Sequence, residues 1–172
     1  MPTHDPVHQI TIVPRGGAGG MTVYLPSDDR SYLSRNEMFE DIVSLLGGRV
    51  AEQLRLADIS TGASNDIQWA SALARDMVSK YGMSDRLGTV SYGTDGEVFI
   101  GRDLEKSKSY SEKVAGEIDE EVKTLIDRAY ARCTEILQAN LDKVDAVAAY
   151  LLENETMDRA AFEALMAENA AQ

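Results

Sequence analysis

Two histidines near the start of the chain have the spacing of a zinc-binding pair, since His8 lies four positions after His4. That spacing holds a metal when the segment is helical, because residues i and i+4 then share one face, and when a Glu beside the first His serves as general base. Asp5 stands at the Glu position with a shorter side chain, and Pro6 disfavours a helical conformation for Asp5. The next residues alternate as in a strand. We therefore expect an extended lead-in to a strand here, and no zinc pair.

Asp66 is a second candidate for chemistry, because it lies in the first turn of a helix predicted to begin at about Ser64. An acid at this position commonly serves structure alone, since it complements the positive end of the helix dipole by about 0.3–1 kcal/mol. The local sequence alone therefore favours a structural role for Asp66 over ligand binding.

Residues 15–20 form a glycine-rich segment that could be taken for a phosphate-binding loop. Such a loop needs a following Lys-Ser or Lys-Thr pair and then a helix. Neither follows, and the next residues have the pattern of a strand. We expect a mobile loop beside a substrate groove or a flexible surface turn.

The elements that must position these residues begin with two strands. Residues 8–13 and 21–25 are rich in β-branched types, and Pro26 ends the second segment. We expect the two strands to pair. A further short strand is predicted at residues 97–100.

A capping box, Ser34 with Glu37, marks the start of the first helix. Apolar residues at helical spacing continue it to about Leu56. Gly47 and Gly48 interrupt that pattern, which predicts either a bend or the close approach of another backbone.

The later part of the chain reads as helical. Ser109 with Glu112 forms a second predicted capping box, and Gly82 is the expected end of the preceding helix. The remaining predicted helices span residues 64–81, 110–139, 141–153 and 157–168.

These elements predict an α+β fold that is mainly α-helical, with a small two- or three-stranded β element packed on a bundle of helices. Residues 1–105 are predicted to form a core of strands plus two helices, which carries the candidate chemistry. Residues 106–172 are predicted to form a helical subdomain continuous with the same domain.

Composition excludes several classes of partner. The chain has 172 residues, 44% of them hydrophobic, and a net charge of −12. That charge argues against nucleic acid, which needs clustered Lys and Arg, and against anionic lipid. No apolar run is long enough to span a bilayer, so we expect no membrane contact by this chain. The single cysteine, Cys133, lies on an apolar helical stripe and is predicted to be a buried thiol.

Six segments of the chain follow one another in a recognisable order. They are strand 8–13 with its Pro14-Arg15-Gly16 turn, strand 21–25, residues 46–52 (LGGRVAE), residues 60–67 (STGASNDI), residues 96–102 and the helix at 111–129. In this order they resemble the C-terminal peptidase domain of FtsH-type ATP-dependent zinc metalloproteases, over nearly the whole chain.

The resemblance implies that Asp66 is the third, acidic ligand of a zinc ion. In that family the two other ligands come from a His-Glu-x-x-His helix, and this chain contains no such motif. His4 and His8 match positions after that helix and not the ligands. One carboxylate does not hold zinc, because zinc sites use three or four ligands. We therefore assign no catalytic residue, and we expect this chain alone to bind no zinc and to be inactive.

The resemblance also implies a substrate-binding strand made of Gly20, Met21, Thr22, Val23 and Tyr24. Such enzymes are expected to bind unfolded polypeptide as an added strand at a sheet edge. The alternative is an ordinary two-strand ribbon packed on helices, and the residues themselves favour neither. Trp69 is expected to be a core or interface residue and not a platform for substrate.

For the whole parent protein the resemblance implies an ATPase domain that uses ATP, a membrane anchor and a sixfold homo-oligomer. That parent would degrade unfolded and membrane proteins, in protein quality control, at the cytoplasmic side of the bacterial inner membrane. This chain itself is expected to be soluble. A non-catalytic oligomerisation or assembly module is the alternative function.

Overall fold

The computed structural model describes residues 1–14, 16, 19–26, 29, 31–93 and 110–168. The strand predicted at 97–100, the matching segment at 96–102 and Ser109 lie outside these residues. Within the described part the fold is α+β and mainly helical, as predicted, with six helices and one small sheet.

The sheet has three antiparallel strands in the order β2-β1-β3. They are β1 (Val7–Thr11), β2 (Met21–Tyr24) and β3 (Thr156–Asp158). The predicted pairing of the first two strands is confirmed. One strand edge of the sheet belongs to β2, because β1 occupies the centre.

Strand β3 corrects the prediction that Met157 begins a helix. Met157 pairs with Ile10 of β1 and is completely buried. The apolar spacing around Met157 fits either a helix or a strand over so few residues, and the long-range pairing with β1 decides for the strand. The last helix, α6 (Arg159–Glu168), therefore starts two residues later than predicted.

The first predicted helix is two helices, α1 (Arg35–Leu45) and α2 (Gly47–Leu56). The predicted capping box at Ser34 is present: the Ser34 hydroxyl accepts from the Glu37 amide at 3.2 Å, and the Ser34 amide donates to the Glu37 carboxylate at 2.7 Å. The predicted bend is confirmed as the break between the two helices at Leu46. No described atom lies within 4 Å of where a Cβ on Gly47 or Gly48 would stand, so close approach is not its cause.

Helix α3 (Ser64–Ser79) begins where predicted and ends two residues early, and α4 (Glu112–Gln138) is the long amphipathic helix. The capping box predicted at Ser109 with Glu112 is wrong. Glu112 is the first helical residue, and the cap is Ser111, whose hydroxyl accepts from the Val114 amide at 3.3 Å. Helix α5 (Leu141–Asn154) follows after Asn140, as expected.

One core lies where α4 packs across α1, α2 and α3. Its fully or nearly fully buried side chains include Ile42, Val50, Met77, Ala129 and Cys133. The buried position predicted for Cys133 is confirmed, and burial raises the pKa of its thiol to about 11. The division between residues 1–105 and 106–172 stays a prediction, since α4 packs closely on helices of the first part.

Candidate active-site cleft

Neither histidine belongs to a helix. His4 precedes β1, where its ring packs edge-on against Tyr24 with 4.6 Å between centroids and its Nε2 lies 3.7 Å from an Asp41 oxygen. His8 is exposed within β1, at a bulge, because Val7 and Gln9 face successive residues of β2. The segment is extended, as its Pro6 and alternating pattern predict.

Asp66 is the third residue of α3 and is exposed at its first turn. The cap residue before the helix is Ala63, whose methyl group cannot accept a hydrogen bond, and α3 has no capping bond from a side chain. Among the described residues, no hydrogen bond or ion pair engages the Asp66 carboxylate. A carboxylate without a protein partner retains its full capacity to accept bonds from a ligand.

Asp66 lines a cleft of about 500 Å³ between the sheet and the helices. Strand β1 contributes Ile10 and Thr11, the junction of α1 and α2 contributes Leu45 and Gly48, and Asp66 is the one acidic residue of the lining. Gly20, Met21, Thr22 and Tyr24, four of the five residues predicted to bind substrate, line the same cleft. The fifth, Val23, is not among the lining residues.

Strand β2 is positioned by its neighbours on both sides of the cleft. A Cβ on Gly20 would lie 2.8 Å from the Thr11 carbonyl oxygen, so glycine permits the closest contact between β1 and the segment entering β2. At the other end, the Tyr24 hydroxyl lies 3.1 Å from the Ser44 hydroxyl of α1. These contacts hold an edge strand against the helices while its outer edge has no strand partner among the described residues.

The loop that leads to Asp66 is tied to α2 by charged side chains. An Arg49 nitrogen donates to the Ser60 carbonyl at 2.8 Å, and the Glu52 carboxylate accepts from the Ser60 amide and hydroxyl. The Ser60 bonds hold the pKa of Glu52 below its usual range. Sequence analysis missed Arg49 and Glu52 as site-related residues, although both lie in the matching segment 46–52.

A zinc ion would need more donors than this cleft offers. Within the described ranges no three His, Cys, Asp or Glu side chains are grouped so that they could bind a metal. Asp66 fits the role of one oxygen ligand, and the described residues do not complete the site, which needs at least three protein ligands.

Trp69 lies one turn after Asp66 and is 69% exposed, so it is not a core residue. An exposed tryptophan on an otherwise well-packed helix is available for contact with another molecule. Its proximity to Asp66 in sequence also makes it a natural fluorescent probe, since it is the only tryptophan of the chain.

A protein-family model and several full-length relatives match this chain. The model of peptidase family M41 matches residues 1–165. The chain belongs to peptidase family M41. This M41 chain is 53% identical over 171 residues to the ATP-dependent zinc metalloprotease FtsH of Caldicellulosiruptor bescii, a match that covers 99% of the chain and 28% of the relative.

Two further relatives have the same coverage pattern. FtsH 1 of Thermoanaerobacter sp. is 53% identical over 164 residues, and FtsH of Bacillus subtilis is 47% identical over 156 residues. Both are also named ATP-dependent zinc metalloproteases. These matches cover 27% and 24% of the relatives, so the M41 chain spans about a quarter of their length. Among the described helices of the M41 chain, none combines the length and apolar character needed to cross a membrane.

Proposed function

We propose that this chain forms one wall of the active-site cleft of a zinc metalloendopeptidase, with Asp66 as the acidic zinc ligand and Gly20 to Tyr24 as the strand that binds substrate. The observation that carries the proposal is the shared cleft of about 500 Å³, which has the Asp66 carboxylate, without a hydrogen-bond or ion-pair partner among the described residues, and the edge strand β2 in its lining. M41 membership and the names of the relatives support zinc-dependent proteolysis as the chemistry.

Substrate binding follows from the sheet topology. An unfolded polypeptide is proposed to pair with the outer edge of β2, where main-chain hydrogen bonds give affinity with little sequence preference. The side chains of Met21 and Tyr24 are about half exposed there and would pack against the added strand. Asp66 would then lie in the lining of the cleft into which the peptide backbone is drawn.

The 172 residues alone are proposed to be inactive. They contain one candidate oxygen ligand and no His-Glu-x-x-His motif, so the nitrogen ligands and the general base would have to come from another segment. The whole protein is proposed to use ATP, to assemble as a sixfold homo-oligomer and to act at the cytoplasmic side of the bacterial inner membrane. Unfolded and membrane proteins are its proposed substrates.

The test uses the chain joined behind a family His-Glu-x-x-His helix, here called the helix-completed chain. We expect it to cleave an unfolded protein in the presence of zinc, to lose that activity with a chelator, and to lose it with Asp66→Ala. A helix-completed chain that folds, binds zinc and keeps its activity after Asp66→Ala would overturn the assignment of Asp66.

A non-catalytic assembly module is the second candidate, and the exposure of Trp69 is the observation that favours it. Under this alternative the chain associates with other copies and supplies no chemistry. Sedimentation of the 172-residue chain at several concentrations tests it, because a species that stays monomeric throughout would contradict self-association. A helix-completed chain that stays inert would favour the assembly module.

A further inference from the structure

We propose that Arg49 and Glu52 are positioning residues for Asp66 and that they act through Ser60. These three residues are called the Ser60 clamp. The inference rests on the proposed role of Asp66 as a metal ligand, and it goes further by assigning the residues that fix where the carboxylate stands.

The loop between α2 and α3 has little apolar packing to hold it. Residues 57–62 are all exposed, including Ile59 at 58%, and Ala63 is the first buried side chain after α2. Ala57 ends α2 with a φ of +52°. A loop of this kind keeps a single conformation when specific polar contacts replace the missing apolar contacts.

All the polar groups of Ser60 are engaged. Its amide donates to Glu52 at 3.2 Å and its hydroxyl donates to the second oxygen of the same carboxylate. Its carbonyl accepts from Arg49 at 2.8 Å, and its hydroxyl oxygen accepts from the Gly62 amide at 3.0 Å. Two residues one turn apart on α2 therefore grip the loop at one point.

Arg49 is held in an arrangement that leaves part of its hydrogen-bonding capacity unused. Its Nε is buried and has no hydrogen-bond partner among the described residues, and it lies 4.0 Å from a Glu52 oxygen. Leaving a buried donor without a partner costs free energy, so such a group calls for a reason beyond local stability. The bond from Arg49 to the Ser60 carbonyl is such a reason, because it fixes the position of the loop before Asp66.

Backbone hydrogen bonds link the segment after Ser60 to the first turn of α3, which contains Asp66. The Ser64 amide donates to the Thr61 carbonyl at 3.0 Å, and the Ile67 amide donates to the Ala63 carbonyl at 3.0 Å, which closes the first turn of α3. No side chain caps this helix, and within the described residues no hydrogen bond or ion pair holds the Asp66 carboxylate. Among the described residues, the Ser60 clamp is therefore the last set of side-chain hydrogen bonds before the proposed ligand.

The same helix that carries the clamp also shapes the cleft. Gly48 lines the cleft beside Asp66, and Arg49 is the next residue of α2. Because one helix holds both the wall and the clamp, the clamp ties the loop before Asp66 to that wall. Removing a group that bonds a metal ligand directly typically costs about 10–100-fold in metal affinity, and the clamp acts on Asp66 through the loop, so the lower end of that range is expected.

The first experiment uses the 172-residue chain and reads out hydrogen exchange of the backbone amides. Glu52→Gln and Ser60→Ala are expected to speed exchange at Gly62 and Ser64 about tenfold, as the loss of about one hydrogen bond predicts. Arg55→Gln is the matched control, because Arg55 also lies on α2 and bonds a backbone carbonyl and a carboxylate, those of Leu141 and Asp145 in α5. It should leave exchange at these amides unchanged.

The second experiment measures zinc affinity of the helix-completed chain with the same variants. Glu52→Gln and Ser60→Ala are expected to weaken zinc binding about tenfold, and Arg55→Gln is expected to leave it unchanged. Ser60 is exposed, so Ser60→Ala tests the clamp even if replacing Glu52 impairs folding.

The outcomes separate the two proposals. Faster exchange together with weaker zinc binding supports the positioning role. Faster exchange with unchanged zinc affinity shows a clamp that serves the loop alone and overturns the role, and unchanged exchange overturns the clamp itself. If the parent helix-completed chain binds no zinc through Asp66, as judged by unaltered affinity in Asp66→Asn, the proposed function fails first and the positioning role fails with it.

Discussion

Glu37 of α1 and Asp66 of α3 occupy the same place in their helices, the third residue after the cap. Glu37 reaches back to the amide of Ser34, and the Ser34 hydroxyl returns a bond to the helix. Asp66 follows Ala63, which offers no hydroxyl, and no hydrogen bond or ion pair engages its carboxylate within the described residues. One acid is committed to holding its own helix, and the other faces a cleft.

This contrast shows that the position of an acidic residue in a helix does not by itself determine its role. The electrostatic benefit of a negative charge near a helix N-terminus applies to both residues. The two acids differ in whether the cap residue bonds to them and in which other segments the fold places around them. Asp66 has the sheet edge and Gly48 beside it, and the loop before it is held by the Ser60 clamp.

The largest effect is expected when the two acids are neutralised in turn in the helix-completed chain. Asp66→Asn should weaken zinc binding by at least about a hundredfold, because the amide oxygen is a poorer ligand for zinc than a carboxylate. Glu37→Gln should leave zinc affinity unchanged. Calorimetric titration with zinc measures both, and equal losses in the two variants would erase the contrast between the acids.

A second test disturbs the sheet side of the cleft, where Gly20 leads into β2. Gly20→Ala places a Cβ 2.8 Å from the Thr11 carbonyl oxygen, so the sheet must shift and the free energy of unfolding should fall by about 1–3 kcal/mol. Gly48→Ala is the matched control, since its Cβ meets no described atom within 4 Å and alanine favours helix.

Denaturant unfolding of both glycine variants decides this test. We expect the Gly48→Ala protein to be as stable as the parent chain or more so, and the Gly20→Ala protein to be clearly less stable. Equal stability of the two would mean that β2 is not held against β1 as the structure has it.

Removing the cap of α1 should have a smaller effect. Ser34→Ala is expected to lower the free energy of unfolding by about 1 kcal/mol, and to speed exchange of the Glu37 amide, whose acceptor is lost. Asp66→Ala should leave exchange in the first turn of α3 nearly unchanged, because no capping bond is lost. If Asp66→Ala instead sped hydrogen exchange in α3 as much as Ser34→Ala speeds it in α1, Asp66 would be shown to cap its helix.

The smallest effect concerns pH. The folded-state pKa of Glu52 is held below its ordinary value of 4.5, first by the Ser60 hydroxyl and amide. The stabilising contribution of a carboxylate with a lowered pKa is present above the ordinary pKa and is lost as pH falls through the folded-state pKa. Acidification should therefore release the loop, and hydrogen exchange at the Gly62 and Ser64 amides should lose protection. Glu52→Gln should lack this transition, and an identical acid transition in both proteins would assign it to other groups.

Much of the fold follows from local sequence. The capping box at Ser34 is found because its partners are three residues apart, and the long α4 is found because its apolar stripe repeats over many turns. The start of α4 is misplaced because Ser109 and Ser111 both precede an acid or an apolar run, and the pattern alone does not rank the two serines. Strand β3 is missed because its identity depends on pairing with β1, in which Met157 faces Ile10, a residue 147 positions earlier.

The candidate site is harder to reach from sequence. Asp66 is singled out by family resemblance, since its local setting also fits a structural acid. The cleft is a tertiary product: Ile10, Leu45 and Asp66 come from three separate segments, and no periodicity brings them together. The residues of the Ser60 clamp lie in segments that match the family, so their types can be read from the sequence. Their hydrogen bonds cannot, because these depend on how the chain turns between α2 and α3.

A structure of the helix-completed chain crystallised with zinc decides whether Asp66 is a zinc ligand. One carboxylate oxygen of Asp66 is expected at about 2.0–2.2 Å from the metal, the range for Asp on zinc, with Ser60 still bonded to Glu52. Zinc held without Asp66, or an Asp66 carboxylate turned back to the backbone at Ala63 as Glu37 turns to Ser34, would contradict it.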